Sequence, residues 1–236
     1  MTHRRAAFFD VDGTLITITS IFRFLAFDTA ERGLPDSVHT GHLAELARVK
    51  AAGANRETAN RAFYRAFAGR PAADLAAAGE RWFTAEYAKG GLFDPRVLTM
   101  LRAHRAAGDH VVLLSGSFPP CLTPIARFAC ADVVLCTEPE VVAGELTGAV
   151  GTPMVGANKA MAVREFAAAR GIDLTDCFAY GDDHSDLPVL ELAGCPVAVG
   201  DEPVLRAHAE RAGWRRIPPL AGEDSEQREE VPCPSR

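Results

Sequence analysis

Apolar and polar positions along this chain fall into three regimes, and each predicts a different architecture. "RAAFF" (5–9) is apolar nearly all round and too short for an amphipathic helix, so it predicts a buried strand. Residues 17–91 then carry helical patterns in succession, over 20–32, 37–52, 56–68 and 72–89. Turn signals bound them at Gly33-Leu34-Pro35, Gly53-Ala54-Asn55 and Gly69-Arg70-Pro71. "GGLFDP" (90–95) predicts a hinge, because Gly90 and Gly91 absorb large backbone changes, with 16–19 as the opposite linker.

From residue 94 the pattern becomes alternating helix and apolar strand. Helices are predicted at 95–107, 119–129, 157–170, 186–193 and 202–212. Strands are predicted at 110–114, 132–136, 177–180, 196–199 and 214–217, with a hairpin over 140–150 turning at Ala143-Gly144. Near-continuous apolar strands alternating with helices predict a parallel sheet covered on both faces. The expected fold is therefore α/β, a Rossmann-like doubly wound parallel sheet with an inserted all-helical domain. The expected division is a discontinuous core of 1–16 and 92–217, a helical insertion of 17–91, and a tail of 218–236. That tail is polar, acidic and proline-containing, which predicts disorder.

Composition narrows the function classes. The formal net charge of -6 over 236 residues argues against nucleic acid and anionic membranes as partners. No apolar run reaches the ~18 residues a membrane-spanning helix needs, and "MTHRRAAFF" leads straight into a strand rather than a signal peptide. The six cysteines (121, 130, 136, 177, 195 and 233) form no C-x-x-C pair, and most lie in apolar segments. They predict buried reduced thiols and a cytoplasmic protein.

In an open parallel sheet, ligands bind beyond the carboxyl ends of the strands. Four segments place reactive groups there: "DVDGT" (10–14), "SGS" (115–117), Lys159 at a helix start, and "GDDHSD" (181–186). Asp10, Asp12, Asp182, Asp183 and Asp186 would then share a crevice. Two carboxylates ~4 Å apart repel by about 4 kcal/mol at an effective dielectric of 20, so such a cluster needs cations. A hard divalent ion that accepts carboxylate and phosphate oxygens fits Mg²⁺. D-x-D alone is equally a turn with a helix cap, and "SGS" alone is equally a strand-to-helix turn. Taken as a site, "SGS" offers the Ser115 hydroxyl and backbone N–H groups to an anion. Lys159 is one of only three lysines and opposes the macrodipole where it stands, so it points to a counter-ion for phosphate and Asp10.

In order and spacing these four motifs resemble those of the haloacid-dehalogenase superfamily of phosphohydrolases. The nearest likeness is to its phosphoserine-phosphatase-like subfamily (IB), and the helical insertion resembles a C1-type cap. The resemblance implies a Mg²⁺-dependent phosphatase acting on a small phosphorylated metabolite. Asp10 would be the nucleophile that carries an aspartyl-phosphate, and Asp12 the general acid and base. Mg²⁺ would be held by Asp10, the Asp12 main-chain carbonyl and Asp182, with Asp183 and Asp186 around it and Asp186 orienting water. Ser115, Gly116 and Lys159 would hold the phosphoryl oxygens, and Gly13 and Thr14 would complete the phosphate loop. Relatives often carry glycine and asparagine where this chain has Asp183 and Ser185, so Asp183 either tightens the metal shell or faces solvent. His184 is assigned to a solvated loop.

Phosphoserine phosphatases use a glutamate early in the cap to bind the substrate's amino group. Thr19 stands at the matching distance here, so phosphoserine is disfavoured and a neutral or apolar leaving group is expected. Arg61 and Arg65 are candidates for an anionic substrate group or for plain helix surface, and Phe22 for a pocket wall or cap core. Two alternatives to hydrolysis remain at this point: transfer of the phosphoryl group to an alcohol, as in a phosphotransferase or mutase, and a non-catalytic phosphate-binding module. The sequence leaves oligomeric state open.

Overall fold

The computed structural model describes residues 5–220. Most of the tail expected to be disordered, 221–236 with Cys233, lies outside the described residues. In chain order the structure begins with β1 (Ala6–Asp10), α1 (Ser20–Glu31), α2 (Asp36–Ala51), α3 (Arg56–Phe63) and α4 (Ala72–Ala88). It continues through α5 (Pro95–Ala106), β2 (His110–Ser115), α6 (Pro119–Ala129), β3 (Val133–Cys136), β4 (Pro139–Val142) and β5 (Glu145–Val150). Then follow α7 (Ala157–Arg170), β6 (Phe178–Gly181), α8 (Leu187–Leu190), β7 (Cys195–Val199), α9 (Pro203–Ala212) and β8 (Arg215–Ile217).

Six strands form one sheet in the order β3-β2-β1-β6-β7-β8, with every pairing parallel. The chain is thus a Rossmann-like α/β protein. The strand β1 sits centrally, and its period-two pattern divides the core. Ala7 and Phe9 join the apolar cluster shared with the inserted helices, whereas Ala6 and Phe8 join the cluster packed by α7, α8 and α9. A strand buried on both faces reads as an unbroken apolar run, which is why "RAAFF" was legible.

The inserted helices α1 to α4 are keyed into the sheet's own core. Phe24, Tyr64 and Phe67 surround Phe118, with ring centroids 5.5, 5.5 and 5.0 Å away. Gly79 of α4 lies so close to α6 that a Cβ there would overlap the Pro120 carbonyl. The insertion is also tied to the β4–β5 hairpin: the Gly69 N–H donates to the Leu146 carbonyl (2.7 Å), and the Leu146 N–H to that of Arg70 (2.8 Å). That hairpin turns at Ala143 and Gly144, both with positive φ, as a two-residue turn requires. Helix α2 differs, burying only Leu46.

Gly90 and Gly91 do adopt left-handed backbone, but the two linkers run side by side, with the Thr17 N–H bonded to Leu92 (2.9 Å) and the Asp94 N–H to Leu15 (3.1 Å). This pairing and the shared aromatic cluster oppose a free swing of the whole insertion.

Two predicted helices are shorter than their patterns. The 56–68 helix ends at Phe63 and tightens into a 3-10 turn, Tyr64–Phe67, which brings two fully buried rings three residues apart onto one side. In the 186–193 segment, Asp183 caps a 3-10 turn over His184–Asp186, and α8 spans only Leu187–Leu190. The thiols are also only partly as expected: Cys121, Cys136 and Cys177 are buried, but Cys130 and Cys195 are exposed. No helix among the described residues is long and apolar enough to cross a membrane.

Candidate active site

The carboxyl end of β1 delivers Asp10 into a buried group of acids. Asp10, Asp182 and Asp186 each offer a carboxylate oxygen, and these lie within 4.8 Å of one another. A cation meets two of them: Lys159 Nζ donates to Asp10 Oδ1 (2.5 Å) and Asp186 Oδ1 (2.8 Å). Asp182 accepts from the Thr14 hydroxyl (2.9 Å). The turn from β1 into residues 13–16 needs glycine at position 13, where φ is +89° and a Cβ would strike the Asp182 carboxylate.

Burial pushes the Asp10 carboxyl well above its ordinary range; Lys159 pulls it down, and Asp186, Asp182 and Asp12 push it up again. For Lys159, burial disfavours the ammonium, but Asp10 and Asp186 outweigh it and hold the group charged. Among the described residues, Asp10 and Asp186 share one ammonium, which leaves a deficit of positive charge. The donors are all hard oxygens, with no thiol or imidazole among them, and this set fits Mg²⁺.

Asp12 stands apart from that group. Its Oδ1 accepts from the Ser20 N–H at the start of α1 (2.6 Å), and its Oδ2 from the Ser115 hydroxyl (3.0 Å). Burial raises its carboxyl, with the bonds from Ser20 and Ser115 opposing the rise. Ser115 Oγ also accepts from the Ser117 N–H (2.9 Å), so the loop after β2 curls round the hydroxyl. Asp12 and Ser115 thereby form one unit, and Ser20, absent from the sequence reading, positions it. Gly116 lies in this loop beneath α3, where its carbonyl meets Asn60 and Tyr64.

Several candidates are placed elsewhere. The Asp183 side chain is not in the acidic group: it accepts from Arg56 Nη1 of the insertion (2.6 Å) and from the Ser185 N–H (2.9 Å). Burial alone would raise its carboxyl, but Arg56 and the Ser185 bonds hold it below the ordinary range. The Asp183 side chain is thus paired with an arginine of the insertion. Its main-chain N–H does touch Asp186 Oδ2 (3.3 Å).

Arg61 Nη1 donates to the carbonyls of Val150 (2.8 Å) and Gly151 (2.7 Å), so it braces the hairpin. Arg65 is exposed on the 3-10 turn. Thr19 is an exposed N-cap that makes no side-chain capping bond. Phe22 is half-buried, edge-on to Phe63 at 5.1 Å. Arg56, Asn60 and Tyr64 were missed by sequence reading, although their four-residue spacing was there to be seen.

Comparison with known proteins assigns the class. The family model of haloacid dehalogenase-like hydrolases matches residues 7–191, well over half of the chain. The chain belongs to that family, and its likeness is to the phosphoserine-phosphatase-like members. Phosphoserine phosphatase SerB1 of Mycobacterium tuberculosis (strain ATCC 25618 / H37Rv) is 35% identical over 214 residues, covering 89% of this chain and 69% of that protein. The solved structure of a protein of unknown function from Bordetella pertussis Tohama I shares 29% identity with a TM-score of 0.80, covering 92% of this chain and 99% of that one. A phospho-aspartyl intermediate analogue of phosphoserine phosphatase matches at TM-score 0.64 and 21% identity, covering 92% and 94%, which establishes a shared fold. The chain spans about half the length of three further curated relatives, 46% or 47% of each.

Proposed function

We propose that this chain is a Mg²⁺-dependent phosphatase that hydrolyses a small-metabolite phosphomonoester through an aspartyl-phosphate on Asp10. One observation carries the reading: Asp10 is buried among Lys159, Asp182 and Asp186, while Asp12, two residues on, is held separately by Ser20 and Ser115. Two carboxylates so close in sequence but so differently partnered suit two roles. The phosphoserine phosphatase captured as a phospho-aspartyl analogue lends support through its shared fold.

In this mechanism an Asp10 carboxylate oxygen attacks phosphorus, and the bond from phosphorus to the leaving oxygen breaks. Asp12, whose raised carboxyl can carry a proton, gives that proton to the departing alkoxide. It then takes a proton from the water that attacks the aspartyl-phosphate, releasing inorganic phosphate and restoring both carboxyls. Lys159, the Ser115 hydroxyl and the Gly116 N–H hold the phosphoryl oxygens, with Gly13 and Thr14 completing the loop. Asp10, Asp182 and the Asp12 main-chain carbonyl would hold Mg²⁺, and Asp186 would orient Lys159 and water beside it. The ion supplies charge neutralisation to the phosphoryl group. Residues 17–91 act as the cap that excludes water from a core of 1–16 and 92–217.

The proposed substrate has a neutral or apolar leaving group. Thr19 carries no charge to pair with an ammonium, Arg56 is engaged by Asp183, and Arg61 is engaged by two carbonyls. Phosphoserine is disfavoured on the same grounds, despite the name of the SerB1 relative. The free thiols at Cys121, Cys136 and Cys177 favour the cytoplasm. The test is hydrolysis of a generic aryl phosphate with and without Mg²⁺, by the wild type and Asp10→Asn. Turnover by the wild type with Mg²⁺ alone supports the reading, and full activity in the variant refutes it. A panel of phosphoserine, sugar phosphates and alkyl phosphates tests the leaving group, and a clear win for phosphoserine overturns that part.

A further inference from the structure

One face of α3 and the turn that follows carries Arg56, Asn60 and Tyr64, four residues apart, and each reaches a loop of the site. Arg56 binds Asp183, in the loop that carries Asp182 and Asp186. Asn60 Nδ2 and the Tyr64 hydroxyl both donate to the Gly116 carbonyl, at 2.9 and 2.8 Å. Two donors occupy both lone pairs of that oxygen, so the plane of the Gly116–Ser117 peptide is fixed from the cap side.

The other side of the network is fixed as well. Thr137 Oγ1 donates to Asn60 Oδ1 (3.4 Å) and accepts from the Met154 N–H (3.0 Å), and the Thr137 N–H donates to the Ser117 carbonyl (3.0 Å). Tyr64 and Thr137 are fully buried. Burial also keeps the Tyr64 phenol protonated, and therefore a donor, far beyond its ordinary range. The loop so clamped contains Ser115, whose hydroxyl is bonded to Asp12.

We propose that Asn60 and Tyr64 are positioning residues for phosphoryl binding: by holding the Gly116 carbonyl they set the Ser115–Ser117 loop in its anion-accepting shape when α3 is seated on the core. This rests on the phosphatase reading, which assigns Ser115 and the Gly116 N–H to the phosphoryl oxygens. It makes the state of the cap and the shape of the phosphate cradle one variable. The Arg56–Asp183 pair is the outer strap of the same bar, between a half-exposed guanidinium and a partly buried carboxylate.

The test compares Asn60→Ser, Tyr64→Phe and the double variant with a control, Phe67→Leu, on the same turn but without a polar contact to the loop. Three readouts are taken: unfolding temperature, calorimetric affinity for inorganic phosphate in the presence of Mg²⁺, and kcat and KM on an aryl and an alkyl phosphate. Each single variant is expected to lose about tenfold in phosphate affinity, the scale of one buried hydrogen bond, and the double variant more. kcat/KM is expected to fall by the same factor for both substrates, because the loop meets the phosphoryl group and not the leaving group. Phe67→Leu is expected to lose thermal stability while keeping its phosphate affinity.

Unchanged phosphate affinity in the folded double variant overturns the proposal. So does a loss confined to one substrate, which would make these leaving-group contacts, or an equal loss of affinity in Phe67→Leu, which would make the effect one of packing. The binding arm needs no turnover, so it judges the proposal even if aryl phosphate hydrolysis fails and the phosphatase reading falls by itself.

Discussion

Two buried carboxylates in this molecule are equally hidden and differently treated. Asp10 at the end of β1 is 7% exposed, and Asp109, in the loop leading into β2, is 6% exposed. Asp109 is fully balanced: Arg5 Nε donates to one oxygen (2.9 Å), and His104 Nδ1 lies 2.9 Å from the other, with His104 Nε2 passed on to the Tyr180 hydroxyl (2.9 Å). Asp10 shares its single ammonium with Asp186 and has Asp182 beside it. A balanced network closes on itself and braces the fold. An unbalanced one calls for a cation from outside, and this difference, rather than burial or polarity, marks the candidate active site.

The sharpest way to break the comparison is to remove the one cation. Lys159→Met leaves buried carboxylates without an ammonium, and the account expects a loss of roughly 3–5 kcal/mol in denaturant unfolding of the metal-free protein. Aryl phosphate turnover should fall on the order of 10³-fold, because a preorganised charge at the phosphoryl group is lost. Chelation comes next. EDTA should abolish turnover, Mg²⁺ should restore it, and Mg²⁺ should add about 2.7 kcal/mol of stability at a concentration 100 times its Kd. Asp109→Asn should show the same gain, because its network lies outside the proposed Mg²⁺ site.

A smaller effect follows from the Asp10 carboxyl, whose affinity for a proton is raised by burial and neighbouring acids. Mg²⁺ binds the ionised form, so protons and metal compete. Titration calorimetry should find Mg²⁺ affinity falling as pH drops through a range above that of ordinary carboxylates, by up to about tenfold per pH unit, with proton release on binding. The least effect on turnover belongs to the balanced region. Asp109→Asn should cost about 1–3 kcal/mol of stability, from partners left unsatisfied, while kcat stays within about twofold. A large loss of kcat there would erase the distinction between the two regions.

What the sequence disclosed, and what it withheld, follows the same physical line. Asp10, Ser115 and Asp182 were legible because each ends or follows an apolar strand of a parallel sheet, and their motifs converge at the carboxyl ends where ligands bind. Lys159 was legible because a cation at a helix start works against the macrodipole. Parallel strands buried on both faces announced the sheet. The partners that decide roles were not legible: Ser20 on Asp12, Arg56 on Asp183, and Asn60 with Tyr64 on Gly116 span 8 to 127 positions and exist only once the chain is folded. Asp183 shows the limit most clearly. As a residue type it suggested either a metal neighbour or a solvated side chain, and its actual partner is an arginine of the inserted helices.

The central claim is that Asp10 itself takes the phosphoryl group. The most direct measurement is acid quenching of the enzyme during turnover of a phosphomonoester labelled in its phosphate, followed by proteolysis and mass spectrometry. The account predicts label on the peptide that contains Asp10, removable by hydroxylamine as an acyl phosphate is, and absent from Asp10→Asn. Steady turnover with no label on that peptide at any quench time, and undiminished turnover in Asp10→Asn, would contradict it.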